Sequence, residues 1–468
     1  MDRCIERLRF ISLLPLGAGS LLALAAWQLG IGATAALAQQ SPSPPPSTEQ
    51  KPAQQQPPQP AGFWDTVQLS GHLETGITLN PNFGDEHTDY GQLVTDKADT
   101  PLLNQLVLTL QRPIDPKSNL DLGFKFQFLY GSDARYYNYL NEFTRATKDI
   151  DQFEFVEANL TGHFALAAGS SVDVKVGQYP TPLGFEVIDP TGNFFYSHSY
   201  TFNFASPFVH TGGYATWHAT DMIDVYLGGD SGVNTSLFHG DNNGSPSLLG
   251  GFGLNLMGGN LTLLALTHIG PEIPTNNAPA GVHVNADNRY YNDAVITYKA
   301  SDALALTTEL NYLKDDQLPN AHGSFGSESW SVAQYAIYTL NDQVSLGARA
   351  ELFDDISGDI VGDFIGNNDA VNAQLGDYGL LSPRDRTGGS IAGSNGNHTM
   401  FGALTLGVNY KPAGVPDAFK GLVIRPEIRW DQALTNTKPF EGKVDSVGTV
   451  VGTSSHQFTA AVDLIIPF

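Results

Sequence analysis

The stretch HQFTAAVDLIIPF, from His456 to Phe468, alternates without a break. Phe458, Ala460, Val462, Leu464, Ile466 and Phe468 share one face, and Gln457, Thr459, Ala461 and Asp463 fall on the other. A strict period of two is the pattern of a half-buried strand. An edge strand of a soluble sheet is usually followed by a tail, whereas this one runs to the terminal phenylalanine. The combination predicts a strand in the wall of a membrane barrel.

The same alternation recurs from Trp64 onward. Val67, Leu69, Leu73, Ile77 and Leu79 oppose Gln68, Ser70, His72, Glu74 and Thr78. Leu120, Leu122, Phe124, Phe126, Phe128 and Tyr130 oppose Asp121, Lys125 and Gln127. About sixteen such segments are predicted. They lie near 65–80, 102–112, 119–130, 153–166, 172–179, 210–219, 222–230, 247–257, 261–269, 289–299, 302–313, 328–340, 343–353, 398–411, 421–431 and 455–468. Their connections alternate in length. Short links such as Pro113 to Ser118, Ala167 to Ser171, Gly258 to Asn260 and Asn341-Asp342 separate long polar ones. The long links are 81–101, 131–152, 180–209, 231–246, 270–288, 314–327, 354–397 and 432–454. Outer-membrane barrels sort their loops this way, with short periplasmic turns and long external loops. A soluble sandwich has no reason to.

Strand length and aromatic placement agree. A tilted membrane strand needs roughly 9–11 residues, which most segments supply. On the apolar parity, Tyr130, Tyr312 and Trp430 fall at external strand ends, and Phe164, Tyr298, Tyr338, Tyr410 and Phe468 at periplasmic ends. Amphipathic rings favour the two membrane interfaces. Hydrocarbon offers backbone N–H and C=O groups no partners, so a spanning sheet must close. The expected fold class is all-β: a closed antiparallel transmembrane barrel of about sixteen strands, with both chain ends on the periplasmic side.

The N-terminal sixty residues are of another kind. Arg3, Arg7 and Arg9 precede a mostly apolar run from Phe10 to Ala26, and Ala36-Leu37-Ala38 offers a small-residue cleavage site. Residues 1–38 read as a signal peptide. Residues 39–62, rich in Gln, Pro and Ser, read as a periplasmic tether, and 63–468 as the barrel. The single cysteine, Cys4, lies in the leader. Disulfides, thiolate metal sites and cysteine nucleophiles are thereby excluded after cleavage. A net charge of -24 excludes a basic nucleic-acid footprint. With only 15% of residues charged, the chain is no disordered acidic one either. After Gln39 no apolar run approaches the roughly 18 residues of a membrane helix.

If the apolar parity faces lipid, the opposite parity faces a lumen and carries eleven acids and five bases, among them Glu74, Glu157, Lys175, Asp293, Glu309 and Asp463. A dry core tolerates such charges poorly, whereas a barrel of this size leaves an aqueous channel. The implied function is passive diffusion of small hydrophilic solutes, with a weak cation preference. Arg425, Glu427, Arg429 and Asp431 occupy successive lumen positions on one strand, and Arg349 and Glu351 on another. They either set a transverse field across the pore or stiffen the wall as ion pairs. With Lys125 they are candidate pore-lining residues. The 180–209 link carries Phe185, Phe194, Phe195, Tyr196, Tyr200, Phe202, Phe204 and Phe208. So many rings predict a fold into the lumen, with Glu186 and Asp189 lining a constriction. The other reading is a compact external cap.

The run Val176-Gly177-Gln178-Tyr179-Pro180-Thr181-Pro182-Leu183-Gly184-Phe185-Glu186 is followed by Phe195-Tyr196-Ser197-His198-Ser199-Tyr200, Pro207-Phe208, His210-Thr211-Gly212 and Gly232-Val233-Asn234. This pattern resembles the OmpL-like β-barrel porin family. The resemblance implies an outer-membrane channel and carries over no catalytic or ligand residues. The aromatic-terminated last strand resembles the signature that barrel-assembly machinery reads at Phe468. The expected partners are therefore outer-membrane lipid, that machinery and small hydrophilic solutes. A homotrimer is also expected, with Gly250, Gly251 and Gly253 as either a contact face or a local bend.

Other signals carry little. Gly229-Asp230-Ser231-Gly232 matches the surroundings of a serine nucleophile, which needs an oriented His–Asp pair and an oxyanion hole, but it sits at a predicted strand-to-loop junction within the barrel pattern. Asp354, Asp355, Asp359, Asp363 and Asp369 lack calcium-loop spacing. The twelve histidines show no pairing at metal-ligand spacing. No catalysis, cofactor, metal or nucleic-acid partner is expected. The rival readings are a structural or adhesive barrel with a plugged lumen, and an outer-membrane lipase-type enzyme.

Overall fold

The computed structural model describes residues 62–84, 89–137, 150–237, 243–272, 283, 285–319, 325–358, 360–363, 398–444 and 450–468. The leader, almost all of the tether, and residues 364–397 of the longest link lie outside them. Sixteen antiparallel strands close one barrel. They are β1 (Gln68–Leu79), β2 (Leu102–Arg112), β3 (Leu120–Gly131), β4 (Gln152–Ala165), β5 (Ser171–Pro180), β6 (Val209–Thr220), β7 (Ile223–Val233), β8 (Ser247–Leu256), β9 (Leu261–Gly270), β10 (Arg289–Lys299), β11 (Leu304–Pro319), β12 (Phe325–Asn341), β13 (Val344–Asp355), β14 (Thr399–Tyr410), β15 (Val423–Ala433) and β18 (His456–Pro467). A separate two-stranded hairpin, β16 (Lys443–Val444) with β17 (Val450–Val451), belongs to the last long link. Strand bounds fall within three residues of the predicted segments, except that β11 runs to Pro319 instead of 313.

Wall order follows chain order, and β18 returns to β1. The seam pairs Leu73 with Ile466 and Ile77 with Val462. Gly71 and Phe468 exchange backbone hydrogen bonds of 2.8 and 2.9 Å. No strand edge is left for hydrocarbon to meet. The side-chain parity is as predicted. Leu69, Leu108, Leu122, Leu160, Leu227, Leu404 and Trp430 are exposed on the outside, while His72, Glu74, Gln105, Thr109 and Glu157 are buried within. Gly251 has a φ of 152°, and a Cβ there would lie 2.1 Å from the Ala265 carbonyl oxygen. Close backbone approach within the sheet requires a glycine at this member of the cluster.

One feature differs from the sequence expectation. The aromatic core lies inside the barrel and is built largely from the long links. Tyr90, Tyr137, Tyr200, Phe204, Phe353, Phe401 and Phe440 form one buried cluster. Links 81–101 and 131–152, expected to be external, contribute to it. Asp96 of the first and Arg135 of the second pair at 2.8 Å, both buried. Asp133 accepts hydrogen bonds from Asn104 (3.0 Å) and Gln105 (2.9 Å) of β2. Packed on one another, the rings of these links are taken out of water.

Candidate functional site

The 180–209 link crosses the lumen. Pro180 ends β5 and Val209 starts β6. Between them, the Asp189 carboxylate caps a short turn by accepting the Thr191 N–H at 2.9 Å. Ser199 Oγ caps helix α1 (Tyr200–Ala205) by accepting the Phe202 N–H at 3.0 Å. Every residue of α1 is buried.

Wall charges hold this link by its backbone. Asp293 on β10 accepts the Gly184 N–H at 3.2 Å, and Glu309 on β11 accepts that of Phe185 at 3.0 Å. Glu351 on β13 accepts the Tyr200 N–H at 2.8 Å. Glu427 on β15 accepts those of Tyr196 (2.9 Å) and Ser197 (3.2 Å). The arginines serve the carbonyls. Arg349 donates to Ser197 O at 2.8 Å, Arg425 to Pro190 O and Asn193 O at 3.0 and 2.9 Å, and Arg429 to His198 O at 3.1 Å. A non-regular segment inside a barrel must find partners for its peptide groups, and the charged rows provide them.

The charges also satisfy one another. Arg349 pairs with Glu186 at 2.7 Å and Glu351 at 2.8 Å. Arg429 pairs with Glu351 at 3.0 Å and Asp431 at 2.8 Å. Arg425 pairs with Glu74 on β1 at 2.9 Å and Asp463 on β18 at 2.6 Å. All three arginines are at most 2% exposed. Burial pushes the Glu186 carboxyl up, while Arg349 beside it pulls it down. The His198 imidazole stacks on Phe202 and receives the Asn193 side-chain amide at 3.2 Å. Burial, reinforced by Arg349 and Arg425, pushes it down to about 3.

Glu186, Arg349, Glu351, Arg425, Glu427, Arg429 and Asp431 are thus all buried and come together beneath the inward link. The inward link covers them, and their mutual ion pairs match the wall-stiffening reading of these rows. Lys125 and Asp189 lie elsewhere. They line a cavity of about 340 Å³ between the link and the wall from β3 to β6, together with Gln127, Glu157, Lys175, Pro182, Val187 and Tyr214. Lys125 pairs with Glu157 at 2.5 Å. The Lys175 ammonium lies 5.9 Å from the Tyr214 ring centre. Glu157 and Lys175 had been placed on the lumen parity but not singled out. Their neighbourhood with the Pro180–Pro182 turn was the missing signal.

A second buried polar cluster joins His210, Asp230 and His268, which no sequence spacing announced. Ser231, of the rejected serine motif, donates to Thr211 O at 3.1 Å and lies 2.9 Å from Thr235 Oγ1. Neither partner is a histidine.

No curated protein sequence matches the chain. Among solved structures it is similar to the outer membrane channel DcaP of Acinetobacter baumannii. That match has 13% identity, covers 86% of this chain and 97% of the other, and has a TM-score of 0.51. An anion-selective porin from Comamonas acidovorans is 11% identical over 86% of this chain and 99% of its own, with a TM-score of 0.49. The first of these likenesses shows a shared barrel fold. The family described as "Putative beta-barrel porin-2, OmpL-like" matches residues 66–468, which is the whole barrel from just before β1 to the seam. The chain therefore belongs to the OmpL-like β-barrel porins, passive diffusion channels of the outer membrane.

Proposed function

We propose that small hydrophilic solutes cross beside the inward link, along the wall from β3 to β6, and not through the centre of the barrel. The observation that carries this is the cavity between the link and that wall, set against the buried charges beneath β13 to β15. Lys125, Glu157, Lys175 and Asp189 are the charged lining residues. Two ammonium groups and two carboxylates balance at the constriction, so selectivity there is weak. The acid excess of the chain biases the mouths toward cations. Glu186, Arg349, Glu351, Arg425, Glu427, Arg429 and Asp431 act one step back, by holding the link that shapes the passage. The channel needs no catalysis. Export proceeds through the 1–38 leader, and the strand ending at Phe468 passes the chain to the assembly machinery. The copies associate as a homotrimer.

The test is single-channel conductance of the refolded barrel in a planar bilayer. Stable, stepwise currents that rise with salt are expected, with a reversal potential displaced only slightly toward cations. A folded barrel without current would favour the plugged, structural reading. The near-complete burial of α1 is the observation behind that alternative.

A further inference from the structure

Three side chains from three wall strands meet at one point near the external rim. They are His210 on β6, Asp230 on β7 and His268 on β9, and each side chain is fully buried. His210 Nδ1 lies 3.4 Å from Asp230 Oδ2. His268 Nε2 lies 2.9 and 3.1 Å from the two carboxylate oxygens. One donor atom from each residue falls within 4.8 Å of the other two. Ligands arranged tetrahedrally at roughly 2.0–2.1 Å from an ion stand about 3.4 Å apart, so small side-chain movements suffice to enclose one.

We propose that His210, Asp230 and His268 bind a divalent transition-metal cation of the Zn²⁺ class. Two imidazoles and one carboxylate suit such an ion, whereas Ca²⁺ and Mg²⁺ prefer oxygen-rich sets. Hydrogen bonding alone leaves the site poorly satisfied. The Nδ1 of His268 is buried without a hydrogen-bond partner, and the inward Nδ1 of His210 faces only the Asp230 carboxylate, at 3.4 Å. In the His210 tautomer whose outer nitrogen donates to Thr181, the inward nitrogen turns a lone pair toward the carboxylate, and an ion between the two gives both a partner.

The surroundings fit a built site. The register between β6 and β7 shifts at His210 to Gly212, and such bulges re-aim side chains. A Cβ at Gly212 would lie 2.4 Å from the Asp230 backbone, so glycine allows that strand's close approach. The Gly232 N–H donates to Asp230 Oδ1 at 2.9 Å and fixes the carboxylate. The outer nitrogen of His210 lies 3.0 Å from Thr181 Oγ1, the kind of outer partner that sets a ligand's tautomer. Thr181 stands at the root of the inward link, so the ion would fasten that root to the wall.

The opposite rim offers a contrast. His163, Asp173, His218 and Asp224 form a chain in which the two nitrogens of His218 reach different carboxylates, at 3.2 and 2.7 Å. Those atoms spread along the wall and do not converge.

The test is Co²⁺ loading of the barrel folded from the full chain in detergent after chelator treatment. About one Co²⁺ per chain is expected, with visible absorption bands of a four- or five-coordinate site, displaced by Zn²⁺. H210Q with H268Q should abolish loading, and H218Q should leave it intact. T181V should weaken affinity by roughly 10-fold. Retained loading in the double variant, or none in the folded parent, would overturn the proposal. If the double variant does not fold, X-ray absorption of the zinc-loaded parent decides: two imidazole ligands support the site, and an all-oxygen shell sinks it.

Discussion

The two halves of the lumen use the same residue types for different ends. Beneath β13 to β15, arginines and carboxylates are buried and clamp the peptide groups of the inward link. Along β3 to β6, Lys125 and Asp189 remain about one-third exposed and border a cavity. A charge on the inner parity of a barrel therefore does not by itself mark the solute path. What separates the halves is whether a non-regular backbone lies over the charge. Where it does, the charge is a peptide receptor. Where it does not, it borders the cavity.

The strongest way to break this contrast is Arg349→Ala. It takes from the buried Glu186 its arginine partner, leaves Glu351 with Arg429 alone, and removes the bonds to Ser197. Breaking one partner from a buried ion pair costs about 3–5 kcal/mol. The expected outcome is a lower melting transition in detergent and a severalfold larger, noisier conductance as the link lifts. Unchanged conductance would mean that the link does not depend on this clamp.

Acid should act on the same side through His198. Its folded value, about 3, lies below the ordinary one near 6.5. The unfolded or undocked histidine therefore binds a proton first. Its contribution to docking is complete above pH 6.5 and is lost as pH falls toward 3. Glu186, pushed up by burial, works in the opposite sense at the acid end. Lowering pH from 7 to 4 should raise the frequency of open-link events, and His198→Gln should flatten the part of the profile above pH 5.

On the cavity side, Lys175→Glu should move the reversal potential in a salt gradient toward cations by several millivolts, because it replaces a lining ammonium by a carboxylate. Arg425→Ala with Arg429→Ala should shift selectivity only to the extent that conductance also rises. A selectivity shift at constant conductance would place those arginines in the solute path and erase the contrast. The mildest effect is expected from Lys125→Gln. The pair with Glu157 is partly exposed, and exposed pairs contribute about 0–1 kcal/mol. Melting should be unchanged, with only a small change in current.

The wall was almost fully legible in the sequence, because alternation and loop length follow from hydrocarbon on one face and backbone closure. Leu120 to Tyr130 needed no tertiary information to be read as a strand with Lys125 inward. The eight rings of the 180–209 link likewise announced its inward fold. The first two long links were harder. Their acids, Asp89, Asp96 and Asp133, are buried by partners distant in sequence or on the wall: Arg135 of the other link for Asp96, and Asn104 and Gln105 of β2 for Asp133. His210, Asp230 and His268 were illegible for a similar reason. Their meeting depends on barrel stagger and on a register shift in β6, neither of which has a local signature. The acid count was coarse as well, since it could not tell Glu427, covered by Tyr196 and Ser197, from Glu157 beside the cavity.

The bond pair between Gly71 and Phe468 has a kinetic consequence. Fifteen of the sixteen wall pairings join strands that follow one another along the wall order of the chain, while the seam joins its two ends. Neighbouring hairpins can zip locally, but the seam must close a loop of the entire barrel, whose entropy cost rises with length. Until it closes, both terminal strands present unpaired peptide groups. Changes confined to the seam, such as trimming the Phe468 ring, should therefore slow insertion more than they weaken the finished barrel, and the deficit would appear as a refolding lag.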